Sequence, residues 1–322
     1  MSEFRKDPFH NKWVLIVPKR GKRPHAFFNE VATEDKILKK DCPFCEGNET
    51  MTPPEVDSFR NSGKADEPGW KVRVFPNKYP ALNREIKIDL KEKKYQKKVE
   101  GYGFHEVIAE TPSHDKDIYS MNQEELVLVL KMYRKRYRVL KKRKNIKSVF
   151  IFKNHGRAAG ASLSHSHSQI LALPIIPPSV EEEMQIIKKT KTCVYCGLLK
   201  EAFNEKRVLS ENSEFVVFAP YASAYPYQLL ALPRKHQPFF EEIEDKQITL
   251  LSILLKGIFR KYEKLLGKIP FNCFFNLPSK KEGHWNIQIT PKLTIPAGFE
   301  KGTGIYINPV PPEIAVTELK RA

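Results

Sequence analysis

The sequence predicts an α+β protein built from two tandem copies of one motif, each a mainly antiparallel sheet with a long helix packed on it. Three observations carry this. A C-x-x-C pair, two strand-like runs, a long helical pattern, a further strand and an H-x-x-x-Q-I segment follow one another twice in the same order. Two long stretches, one around Leu126–Leu140 and one over 244–266, repeat apolar residues at helical spacing. The short runs around them alternate or are apolar throughout, as strands do. The segment P-I-I-P-P-S-V-E-E-E-M, 174–184, reads as the link between the copies, which places them at 1–178 and 179–322.

In the first copy C-P-F-C (42–45) precedes V-R-V-F-P-N-K-Y-P-A-L and then H-E-V-I-A-E-T-P-S-H, which ends at His114. Ser120 with Gln123 offers a capping box for a helix whose face carries Leu126, Leu130, Tyr133, Tyr137 and Leu140. The strand S-V-F-I-F-K-N and the segment S-H-S-H-S-Q-I follow. In the second copy C-V-Y-C (193–196) leads into E-F-V-V-F-A-P-Y and Y-Q-L-L-A-L-P-R-K-H, ending at His236. A helix with Leu251, Leu254, Ile258, Tyr262 and Leu265 on one face stops at Gly267, and F-N-C-F-F-N and G-H-W-N-I-Q-I complete the repeat. The greater length of the first copy lies largely in the insert N-R-E-I-K-I-D-L-K-E-K-K-Y-Q-K-K.

With 41% hydrophobic residues over 322 positions the chain can bury a sizeable core, which excludes a disordered protein. No apolar run approaches the roughly 18 residues of a membrane span. The longest, Ile248–Phe259, is broken by Thr249, Ser252 and Lys256, and the start M-S-E-F-R-K-D-P-F-H has no apolar h-region. A soluble, cytoplasmic protein is expected. The net charge of +17 admits a nucleic-acid face, a compact anionic ligand such as a nucleotide, or a Lys/Glu-rich solvated surface. The run K-M-Y-R-K-R-Y-R-V-L-K-K-R-K-N is helically periodic, so its cations read as a solvated helix face.

In a reducing compartment paired cysteines serve as metal ligands or redox dithiols more often than as disulfides. C-P-F-C-E-G-N-E does not look like the start of a helix, which disfavours a thioredoxin-like dithiol. Zn²⁺ takes four ligands, and the two that each cysteine pair lacks should be histidines that recur with the repeat. This gives Cys42, Cys45, His114 and His165 for one structural site, and Cys193, Cys196, His236 and His284 for the other. His10, His25 and His105 fall outside the repeat and read as satisfied surface or core residues. Cys273 reads as a small buried hydrophobe.

The symmetry breaks at His167, whose counterpart is Asn286, while Gln169 is matched by Gln288. One active copy and one scaffold copy would produce this. On a strand 165, 167 and 169 share a face. Upstream, Gly156, Ala158, Ala159, Gly160 and Ala161 lie between Asn154 and Ser162, small residues that let backbone approach a phosphate. A neutral imidazole there can attack phosphorus and form a phosphoramidate. Gln169 can donate an amide hydrogen to a phosphoryl oxygen and cannot act as an acid, so the leaving group must be good unaided, as a sugar phosphate is.

At these residues the chain resembles the histidine-triad superfamily, specifically its galactose-1-phosphate uridylyltransferase family, which carries H-x-H-x-Q with the second His as nucleophile. The resemblance rests on K-R-P-H-A-F, C-P-F-C-E-G, F-P-N-K-Y-P-A-L, F-K-N-H-G-R-A-A-G-A-S-L-S-H-S-H-S-Q and H-W-N-I-Q-I. Its plant-type ADP-glucose phosphorylase subgroup is the most similar in appearance, through S-H-S-H-S-Q, the double C-x-x-C and G-F-E-K-G-T-G-I-Y-I-N-P. The resemblance implies two histidine-triad-like domains, catalytic then degenerate, two structural Zn²⁺ and a homodimer. It implies that Arg23 and Asn77 contact the nucleoside, that Asn154, Gly160, Ser162 and Gln169 hold the phosphates, and that Phe299 and Glu300 lie at the sugar.

The leading expectation is therefore a ping-pong nucleotidyltransferase of carbohydrate metabolism, acting on nucleotide sugars and sugar 1-phosphates as a hexose-1-phosphate uridylyltransferase does. The alternative is an ADP-glucose phosphorylase with phosphate as acceptor. The chain departs from the uridylyltransferases at Lys78, where they have Asp, and at G-T-G-I-Y-I-N, where they have Gly-Tyr-Glu. A hydrolase is disfavoured by Gln169. A zinc-containing RNA-binding module is disfavoured by the acidic text around the first cysteines, so no nucleic-acid partner is expected.

Overall fold

A computed structural model describes residues 2–10, 12–22, 37–86, 90–278 and 280–322; Arg23 and His25 lie outside the described residues. The protein is α+β. In chain order it runs β1 (Glu3–Lys6), β2 (Trp13–Ile16), β3 (Asp57–Arg60), β4 (Trp70–Pro76), β5 (Leu90–Lys93), β6 (Gln96–Val99), β7 (Phe104–Ala109), α1 (Gln123–Lys141), β8 (Ser148–His155) and β9 (His167–Leu173). There follow α2 (Pro178–Thr190), α3 (Val194–Asn204), β10 (Val208–Glu211), β11 (Phe215–Phe218), β12 (Leu229–Pro233), α4 (Asp245–Leu266), β13 (Phe271–Asn276), β14 (Asn286–Pro291), α5 (Gly298–Thr303), β15 (Tyr306–Asn308) and α6 (Pro312–Arg321).

The centre is a 10-stranded antiparallel sheet in the order β10-β11-β12-β14-β13-β8-β9-β7-β4-β3. Read outward from the middle, β8-β9-β7-β4-β3 and β13-β14-β12-β11-β10 are the same arrangement. The two series join where β8 pairs with β13, Phe152 opposite Phe274. Phe152 stands opposite Gln169 on β9, and Phe274 opposite Gln288 on β14. The registers therefore correspond residue for residue across a pseudo-twofold at that phenylalanine pair: Lys153 with Phe275, Asn154 with Asn276, His167 with Asn286.

The repeats are halves of one sheet over one core. Val74, Ile108, Leu130, Ile151 and Ile170 of the first half and Leu229, Leu251, Ile258, Phe271 and Ile289 of the second belong to a single buried apolar cluster. It fills the space between one face of the sheet and α1 and α4. The chain ends also cross the halves: β15 lies parallel to β2 beside β1, and Arg5 reaches Glu313 at 2.8 Å. Within the insert, β5 and β6 pair as a hairpin separate from the main sheet.

Both long helices bury the faces their periodicity implies, and α4 ends at Gly267, φ 78°. The cap of α1 differs: Asn122 and Glu125 exchange side-chain and backbone hydrogen bonds, while Ser120 is held in a turn by Asp117. Asn binds a free helix N–H through a carbonyl oxygen and suits the N-cap at least as well as Ser. The expected link 174–184 is half helix, because Pro178 occupies the first turn of α2, where its missing N–H costs nothing. The basic run is not simply solvated. Arg134 and Lys131 bind Asp245, Lys135 binds Asp57, and Arg136 is buried against Glu106 at 2.7 Å, so α1 is tied to α4, β3 and β7. Among the described residues no helix is long and apolar enough to cross a membrane.

Candidate active site and metal clusters

The structure brings both expected ligand sets together. The donor atoms of Cys42, Cys45, His114 and His165 lie within 4.8 Å of one another, as do those of Cys193, Cys196, His236 and His284. A tetrahedral ion with zinc bond lengths has S···N edges of about 3.5 Å. His165 Nδ1 stands 3.6 Å from Cys42 Sγ and 3.5 Å from Cys45 Sγ, and His284 Nδ1 stands 3.7 and 3.6 Å from Cys193 and Cys196. The other ring nitrogen of His165 donates to the Thr111 carbonyl at 2.7 Å, that of His236 to Lys281 at 3.0 Å, which turns each Nδ1 lone pair inward. Burial and the paired thiol push Cys45 and Cys196 up to about 12, so two adjacent thiolates require a cation between them. Both clusters fit a metal ion.

The local structures of the cysteine pairs differ. Cys193 caps α3, whereas Cys42 and Cys45 sit in consecutive turns. Those turns are held by Asn48, which donates to the Cys42 carbonyl at 2.9 Å, and by Glu49. The latter is buried and accepts from the Gly47 N–H and from Trp70 Nε1 at 2.7 Å, so this acid of C-P-F-C-E-G-N-E braces the loop.

His167 opens β9, two residues after the ligand His165, and is buried. Its Nδ1 lies 2.8 Å from the His165 carbonyl oxygen. A carbonyl only accepts, so Nδ1 carries the proton and Nε2 the lone pair. Burial lowers the pKa of the ring, favouring the neutral form. Phe44, between the two cysteines, meets the ring edge-on at 5.2 Å, which couples the metal loop to this histidine.

Gln169 shares the face of His167. Its Oε1 accepts from His105 Nε2 at 2.7 Å. The Ala81 N–H donates to His105 Nδ1 at 3.1 Å, which sets the tautomer and with it the direction of the Gln169 amide. His105, which the sequence reading set outside the repeat as a satisfied residue, is thus hydrogen-bonded directly to the candidate Gln169. The signal was its strand parity: 105, 107 and 109 alternate onto the face that holds His167 and Gln169, since Val107 pairs with Gln169 and Ala109 with His167. Asn77, whose Oδ1 is taken by the Tyr79 N–H, turns its amide nitrogen to within 3.2 Å of His105 Nε2.

Asn154, on β8, is oriented from the other half. Asn272 donates to its Oδ1 and to the Ala159 carbonyl, both at 2.8 Å, so the Asn154 Nδ2 is turned toward the small-residue loop. Gly160, at φ 88°, is 3.7 Å from that nitrogen when a Cβ is built on it, and only glycine takes this backbone freely. The N–H groups of Ala159, Gly160 and Ala161 close the turn itself. Ser162, which follows this turn, is exposed. Phe299 is exposed on α5, and Glu300 caps that helix by accepting from the Ala297 N–H. Neither shares a hydrogen bond or ring contact with His167 or Gln169 among the described residues.

In the second half the Asn286 side chain donates to the His284 carbonyl at 3.2 Å, repeating the His167 contact without an imidazole. Asn276, the pseudo-twofold counterpart of Asn154, is spent on the buried Glu183 of α2, which also accepts from Tyr195 of α3.

A family model for the galactose-1-phosphate uridyl transferase N-terminal domain matches residues 1–177. ADP-glucose phosphorylase of Arabidopsis thaliana is 36% identical over 97% of this chain and 90% of its own length. Galactose-1-phosphate uridylyltransferase of Thermotoga maritima is 29% identical over 99% of this chain and 98% of its own. The crystal structure of an ADP-glucose phosphorylase from Arabidopsis thaliana with bound ADP-glucose superposes with a TM-score of 0.83 at 33% identity, covering 100% of this chain and 99% of that one. With the sheet, the His167 strand and both Cys/His clusters in hand, these matches make the chain a nucleotidyltransferase that belongs to the galactose-1-phosphate uridyl transferase family.

Proposed function

We propose that this protein is an ADP-sugar phosphorylase, which transfers the adenylyl group of ADP-glucose to inorganic phosphate through His167. The observation that carries the chemistry is the His167 tautomer. With Nδ1–H tied to the His165 carbonyl, Nε2 attacks the α-phosphorus, the bond to the bridging oxygen breaks, and glucose 1-phosphate leaves with the electron pair. The ring becomes cationic, and its Nδ1–H bond to the carbonyl strengthens as it does. The Gln169 amide and Asn154 Nδ2 donate to the phosphoryl oxygens as charge shifts. Phosphate then attacks the same phosphorus, Nε2 leaves, and ADP is released.

The choice of base and acceptor rests on the comparisons: similarity is greater to the ADP-glucose phosphorylase than to the uridylyltransferase, and Lys78 and the 302–308 segment depart from the latter. The uridylyltransferase reading that the sequence favoured yields to its alternative. The two halves, 1–178 and 179–322, are read as a catalytic and a degenerate histidine-triad-like unit.

Two reactions test this. Incubated with ADP-glucose and phosphate, the protein should yield ADP and glucose 1-phosphate. Without phosphate it should carry an adenylyl group on His167, seen by peptide mass spectrometry. Labelling by UDP-glucose but not by ADP-glucose would sink the adenylyl reading.

Zinc is the metal we assign to both clusters. Bound there, it supplies a cross-link: it ties the Cys42–Cys45 loop to the residue two before the nucleophile, and α3 to β14. Cys193→Ser is expected to drop metal content from two ions per chain to one and to lower thermal stability, since structural zinc contributes directly to folding. Two ions retained by the variant would remove Cys193 from the ligand set.

A further inference from the structure

Behind the strand that presents His167 lies a buried charged cluster. Lys153 Nζ donates to Glu110 at 2.6 Å, to Ser166 Oγ at 2.9 Å and to the backbone carbonyl of His167 at 3.2 Å. Glu110 also accepts from Tyr133 at 2.6 Å, from Ser166 at 2.8 Å and from Ser168. All five side chains are buried. The residues in register with Lys153, Ser166 and Ser168 across the pseudo-twofold are Phe275, Trp285 and Ile287, also buried and none of them charged. The same scaffold position therefore folds around hydrocarbon. A buried ion pair is often no more stabilising than apolar side chains of similar volume, because both ions lose their hydration. Folding alone does not account for charging one copy only.

The ladders supply a task. In the second half β13 and β14 stay paired out to Asn276 and Asn286. In the first half the last pair of β8 with β9 is Phe152 with Gln169, so the strands part before His167. Beyond that last pair the His167 carbonyl accepts from the Lys153 ammonium of β8, a side-chain donor. On the other side the Glu110 N–H holds the Ser166 carbonyl at 3.1 Å.

We propose that Lys153 and Glu110 are positioning residues for the reaction. They bridge the parted strands, fix the backbone of residues 165–168, and so keep the His165 carbonyl in line with His167 Nδ1 while the gap beside Asn154 stays open for phosphates. The proposal rests on His167 as the nucleophile.

The test removes both charges together, since removing one would strand the other in the core. Lys153→Met/Glu110→Gln should stay folded, keep its metal content, and lose about 30-fold in kcat with KM for ADP-glucose changed less than about threefold. Phe215→Leu, beneath Trp285 in the other half, controls for lost stability and should keep kcat. A double variant with kcat within about twofold of the parent overturns the proposal. If that variant does not accumulate as soluble protein, Ser166→Ala/Ser168→Ala decides, keeping both charges. A fall in kcat of about fivefold or more at constant KM supports positioning, and a smaller change overturns it. His167→Ala run in parallel separates the two claims. Turnover by that variant would remove the nucleophile, whereas its inactivity beside a fully active double variant would remove only the positioning role.

Discussion

His167→Ala is expected to abolish adenylyl transfer, lowering kcat by about 10⁴-fold or more, because in the proposed mechanism His167 Nε2 forms the covalent intermediate. The fold should survive. Among the described residues the imidazole makes one hydrogen bond, to the His165 carbonyl, and one edge contact, to Phe44, and it is not among the eight metal-binding candidates. Truncation should cost about 1–2 kcal/mol of stability and leave the metal content unchanged. Single-turnover reaction with radiolabelled ADP-glucose reads the loss directly, as absence of protein-bound label. His167→Gly leaves a space of imidazole shape, and added imidazole should restore part of the turnover. Near-normal transfer by the Ala variant would mean that another group attacks phosphorus.

Gln169→Glu should slow both half-reactions by about 10²–10³-fold, the scale set by loss of one aimed donor at a developing oxyanion. The geometry makes the direction clear. His105 Nε2–H takes Oε1, so the amide NH₂ is the group left for the phosphoryl oxygen. In the Glu variant His105 still binds one oxygen, and the other places a negative charge where the donor stood. Gln169→His should weaken transfer while raising leakage to water, since an imidazolium can protonate the departing oxygen. The competing view is that Gln169 only packs between strands, as Gln288 does opposite Phe274 and Leu230. On that view the Glu variant would lose a little stability and react at the parental rate. The rate of adduct formation separates the two.

Much of this was legible in the residues. Metal ligands are confined to a few side-chain types, and the same four in the same order twice leave little freedom, so both clusters assemble as read. Helices of five turns or more carry their buried face in the period of their apolar residues, and α1 and α4 bury those faces. His167 stood out as the one histidine of its segment with an asparagine as counterpart, and Asn286 repeats its contact to the preceding histidine's carbonyl. Other features depend on neighbours far off in sequence. His105 lies 64 residues from the glutamine it orients, and Asn272 lies 118 from Asn154. Strand parity puts His105 on one face of β7, but only strand pairing decides which residues either of them meets there.

By itself, then, the sequence determined the chemistry available to this protein: two Cys₂His₂ sets, one histidine with no counterpart in the other copy, one amide that cannot act as an acid, and helices with a defined inner face. These follow from residue type and from short-range periodicity. Only the tertiary structure decided that the repeats would join edge to edge at β8 and β13, since any strand edge offers the same backbone donors and acceptors and register is settled by the packing of whole faces. That junction lets Asn272 of one half aim Asn154 of the other. It also sets the charged cluster of Lys153 and Glu110 in register with the apolar residues of the second half.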